Sequence, residues 1–150
     1  MNTYFRPMIW ALIVTVGLVV TAGAEQDKNS DRRGKLIHAS SVDSHELAYY
    51  LIDMQGAGVE MEAKDSLGGQ KPTHHLMLYV TDSKGNPVKE ATTGFLIQGP
   101  KENVQKTMAM GMRDGYGADI SLQKPGEYTI KAKVVSGEQT LIDGFVYPVE

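Results

Sequence analysis

The sequence predicts an all-β protein: an immunoglobulin-like β-sandwich of seven or eight antiparallel strands following an N-terminal signal peptide. Three observations carry this. Short apolar segments are separated at regular intervals by Gly, Pro, Asn and Asp clusters, the punctuation of turns between strands. Residues 127–135 (EYTIKAKVV) alternate Tyr128, Ile130, Ala132 and Val134 against Glu127, Thr129, Lys131 and Lys133, one face apolar and one wet. Leu122-x-x-Pro125-Gly126-x-Tyr128 has the form of a tyrosine corner, in which a tyrosine early in a late strand bonds back to nearby backbone. Helical periodicity is absent after the first 24 residues.

The elements follow in order. Arg6 supplies a positive start, residues 8–20 form an uncharged, largely apolar run of 13, and Ala22 and Ala24 give the small-x-small pattern of a cleavage site. A spanning helix wants about 20 apolar residues. Extending the run to Ala24 reaches only 17, so cleavage before Glu25 is expected over retention as an anchor. Three regions result: a signal peptide at 1–24, a polar flexible arm at 25–34, and the sandwich at 35–150. Strands are expected at 35–39, 46–54, 73–82, 92–98, 104–112, 117–122, 127–135 and 140–149. Residues 55–72, with four Gly and Pro72, read as a structureless loop.

Composition narrows the function. The 150-residue chain carries a formal net charge of -3 with a pI near 5.8, which excludes a basic nucleic-acid footprint. It has no cysteine, which excludes disulfides, thiolate metal sites, a thiol nucleophile and a lipidated cysteine. No nucleophile elbow, P-loop, dinucleotide fingerprint or zincin helix motif is present, so an enzyme is not expected. The exported chain would be 126 residues with six Met, two Phe and no Trp, large enough for one ordinary core.

Methionine and histidine placement is the informative part. Met108, Met110 and Met112 stand at i, i+2 and i+4, which on one strand places three thioethers on a single face. His74 and His75 open the strand that contains Met77, and as neighbours they face opposite ways. Met54 and Met61 flank the long loop, and His38 and His45 lie earlier. Thioether sulfur is uncharged and soft and suits Cu(I), while imidazole suits Cu(II) and Zn(II) as well. Methionine is equally a flexible core filler, and residue type alone does not separate the two uses.

An export leader, a cysteine-free sandwich, the HHLMLYV strand, MAMGM followed by GYGAD, and the closing KPGEYTIK run together resemble the small periplasmic YtkA-like and FixH-like domains. The resemblance spans about residue 38 to the end. It implies a periplasmic β-sandwich, and through some relatives the handling of copper or other heavy metals. Several of those carry a more Met-rich loop where this chain keeps only Met54 and Met61, which shifts weight to the strand residues. The expectation is therefore a periplasmic or secreted protein that binds copper, as Cu(I), through His74, His75, Met77, Met108, Met110 and Met112. Its partners would be the metal ion and an envelope copper-handling or efflux protein, with no nucleic acid and no membrane insertion after cleavage. The competing expectation is a metal-free envelope accessory domain whose methionines are structural.

Overall fold

The computed structural model describes residues 33–55 and 62–150. The expected signal peptide, most of the arm and Met61 lie outside the described residues. Among the described residues nine strands form two antiparallel sheets: β1 (Lys35–Val42), β2 (His45–Asp53), β3 (His74–Thr81), β4 (Thr92–Gln98), β5 (Val104–Met108), β6 (Met110–Met112), β7 (Gly115–Ile120), β8 (Gly126–Ser136) and β9 (Gln139–Val149). One sheet has the order β1-β2-β3-β7-β6 and the other β5-β4-β8-β9. Both sheets are locked by non-local pairings, β3 with β7 and β4 with β8.

Alternation decides which faces meet. Leu47, Tyr49 and Leu51 from β2 and Leu76, Leu78 and Val80 from β3 point inward. Opposite them lie Phe95 and Ile97 from β4 and Tyr128, Ile130, Ala132 and Val134 from β8, all buried. The tyrosine corner is present: the Tyr128 hydroxyl donates to the Lys124 carbonyl at 3.0 Å and accepts from the Lys124 amide at 3.2 Å. Gln105 ties β5 to the chain leaving β7, donating from Nε2 to the Ser121 carbonyl at 2.7 Å and accepting the Ser121 amide at 2.8 Å.

Two expectations need correction. The strand expected at 104–112 is two strands in different sheets. The Ala109 amide still bonds to Thr93 of β4 at 2.9 Å, whereas Met110 already pairs with Gly117 of β7. The chain thus changes sheets at Ala109, whose small side chain packs against the core, and this adds a strand to the expected count. The loop at 55–72 is not structureless throughout. A 3-10 turn, Asp65–Leu67, buries Leu67 completely, and an antiparallel bridge joins Lys64 to Gln70. At the other end of the described chain, Arg33 stacks its guanidinium over Tyr79, 5.4 Å from the ring centroid.

Candidate metal centre

β3, β7 and β6 are consecutive neighbours in the five-stranded sheet, so alternate residues on each share its outer surface. On that surface the register sets Met77 and Met110 on either side of Gly117. Gly117 has no side chain, and its neighbours lean into the space. A Cβ built there would lie 2.5 Å from His75 Nε2, 2.7 Å from Met77 Sδ and 3.1 Å from Met112 Sδ. Three soft donors therefore surround one point above a bare backbone. No two of them are more than about 6 Å apart, a gap that one cation with bonds of about 2.0–2.3 Å closes by small side-chain rotations. Any residue larger than glycine at 117 would occupy that space itself.

The imidazole is oriented from behind. His75 Nδ1 lies 2.9 Å from Asp119 Oδ1, and Lys64 donates to Asp119 Oδ2 at 2.5 Å. Partial burial pushes the Asp119 carboxyl upward, but hydrogen bonds from Lys64 and His75, with their charges, outweigh it and hold the carboxyl below its ordinary value. An ionised carboxylate can only accept. The proton of a neutral His75 therefore sits on Nδ1, and the Nε2 lone pair faces the cradle. This carboxylate–histidine arrangement is the usual support of a metal-ligating imidazole. Tyr79, Ile52, Arg33, Arg113 and Asp114 complete the groove around the cradle.

The structure separates the six residues singled out by sequence. His75, Met77 and Met112 come together. Met110 shares their face but is 67% exposed, with its sulfur outside the three nearest contacts to the cradle point. His74 sits on the opposite face of β3, where its Nδ1 is 2.7 Å from Thr73 Oγ1 and burial lowers its pKa against the opposing charge of Asp53. Met108 belongs to the other sheet and lies across Gly94. Among the earlier histidines, His38 stacks on Phe145 at 4.2 Å and His45 Nδ1 contacts the Asp43 carbonyl at 2.9 Å. Met54 follows β2, its amide bonded to the Thr73 carbonyl. Sequence reasoning did not assign roles to Gly117, Asp119 or Lys64. The available signal was the outward Gly115, Gly117, Asp119 row within GYGAD.

Among the described residues no three His, Asp or Glu side chains gather in a way that could hold a metal. The cradle's donors are two thioethers and one imidazole. The fold and this site together define a β-sandwich with a soft-donor cradle on one outer surface.

Two solved structures share the fold, both of FetP from uropathogenic Escherichia coli strain F11. A copper-bound variant of FetP matches with a TM-score of 0.54 at 16% identity, covering 77% of this chain and 94% of that one. FetP as isolated after expression in the E. coli periplasm matches with a TM-score of 0.54 at 15% identity, covering 76% and 93%. No family profile and no curated protein sequence matches the chain. Among the described residues no helix is long and apolar enough to cross a membrane.

Proposed function

We propose that this protein is an exported copper-binding module that holds Cu(I) in the cradle of His75, Met77 and Met112 for storage, relay or tolerance. The convergence of three soft donors above Gly117 carries the reading. The copper-bound FetP structure supports it as a fold precedent. Cu(I) accepts low coordination and neutral sulfur donors, and thioethers keep their affinity at any pH. Asp119 would balance the positive charge of the bound ion through the imidazole. The 1–24 leader supports removal on export and a periplasmic or secreted location, in which thiols oxidise and thioether ligation is the practical soft chemistry. Metal exchange with an envelope copper-handling or efflux protein follows from the relay role, and the chain acts by binding rather than by catalysis.

The test is competition for Cu(I) against a chromophoric chelator. Wild-type protein should take one equivalent. Joint Met77→Leu and Met112→Leu replacement should weaken binding at least 100-fold, and Gly117→Ala should do so while every donor is retained. Met108→Leu should leave affinity unchanged.

One observation favours the metal-free alternative: Met77 is only 6% exposed, as a structural plug would be. Chelator competition by neither wild type nor the double leucine variant would establish that alternative.

A further inference from the structure

The second sheet has an outer surface that the copper reading does not use. Register places its outward residues in three rows across the strands: Met108, Gly94, Lys133 and Ile142; Lys106, Leu96, Lys131 and Gly144; Val104, Gln98, Thr129 and Val146. Met108 and Ile142 are each 64% exposed and Val146 is 56% exposed. An apolar groove runs over Gly94 between Met108 and Ile142, with Lys106, Lys131 and Lys133 around it. These rows contain no Asp or Glu. Glu127 stands beyond them at one end of β8.

We propose that this face docks onto an anionic phospholipid surface. Three lysines in rows that hold no carboxylate make the patch positive among the described residues, on a chain whose net charge is negative, and that charge complements an anionic headgroup layer. The arrangement also argues for lipid over protein. Lysine is depleted in protein–protein interfaces, yet here lysines lie among the exposed apolar side chains rather than outside them. Long lysine stems lying along apolar surface, with ammonium groups reaching to phosphates, are the side-chain behaviour of a membrane interface. Symmetric pairing with a second copy would set lysine against lysine. The cradle lies on the opposite outer surface of the sandwich, so a docked molecule presents it to the aqueous side.

The test uses protein purified from the periplasm of an expressing cell, with its N-terminus verified by mass. Flotation is measured with phosphatidylcholine vesicles with and without one-third phosphatidylglycerol, at low and at physiological salt. The protein should float with the anionic vesicles and release as salt rises. Replacing Lys106, Lys131 and Lys133 jointly with Gln should lower the partition by about fivefold per lysine, near 100-fold together, with no change in the thermal melt. An Ile142→Trp reporter, the only tryptophan after the leader, should shift its emission to the blue on anionic vesicles alone. Equal flotation with both vesicle types, or with neither, overturns the proposal. So does burial of the reporter in a dimer or with an acidic protein when no lipid is present.

Discussion

Gly117 shows how much one absent side chain decides. Its neighbours in β3 and β6 are large and flexible, and they fill the gap with two sulfurs and a ring nitrogen only because no Cβ stands there. His75 contributes a usable lone pair because Asp119 holds its other nitrogen, and Asp119 is kept ionised by Lys64. The three methionines illustrate the opposite lesson, since identical residue types two positions apart end in different environments. A residue-scale prediction concerns Thr93, which is 1% exposed and whose hydroxyl has no hydrogen-bond partner among the described residues. Thr93→Val keeps the shape and removes the unsatisfied oxygen. It should stabilise the protein by about 1 kcal/mol in urea unfolding, and an unchanged or lower midpoint would show that the hydroxyl is satisfied.

At the scale of elements, the β5–β6 crossover governs the site. Period-2 alternation survives the sheet change, so Met108, Met110 and Met112 all point outward as the spacing requires. Yet the first faces away from one sheet and the other two away from its partner. The crossover is braced by Gln105, completely buried on β5 and bonded twice to the Ser121 backbone. Gln105→Leu would leave a buried amide and carbonyl without partners. That should cost about 3 kcal/mol of unfolding free energy, and it should weaken Cu(I) binding as well, since β6 loses its fixed approach to β7. A loss of stability without loss of affinity would show that β6 is positioned by β7 alone. The 3-10 turn at Asp65–Leu67 has a comparable role in the long connection. Leu67 anchors the segment and Lys64 reaches from its base to Asp119.

For the whole molecule, acidity is the relevant solution variable. Burial lowers the His74 pKa, so between the unfolded and folded values the unfolded chain binds more protons and stability falls as pH drops below about 6.5. Asp119 has its pKa lowered in the folded state. Its contribution is present at neutral pH and is lost only in stronger acid, below about 4. Urea midpoints at pH 7 and pH 5 should therefore differ for wild type and differ less for His74→Gln, while Asp119→Asn should lower both midpoints alike and flatten the further loss below about pH 4. An unchanged slope between pH 7 and 5 in His74→Gln would place the acid sensitivity elsewhere.

Most strand positions, the two faces of β8 and the tyrosine corner were readable from the chain because they rest on local rules: alternation at i and i+2, and Gly or Pro at turns. The presence of thioether and imidazole side chains was readable for the same reason, as a matter of residue type. Which donors meet was not. His75, Met77 and Met112 come together through the pairing of β3 with β7 and of β7 with β6, contacts spanning up to 44 residues between His75 and Asp119. That partnership, like the exile of Met108 to the second sheet, is decided by long-range register, and local spacing carries no record of it.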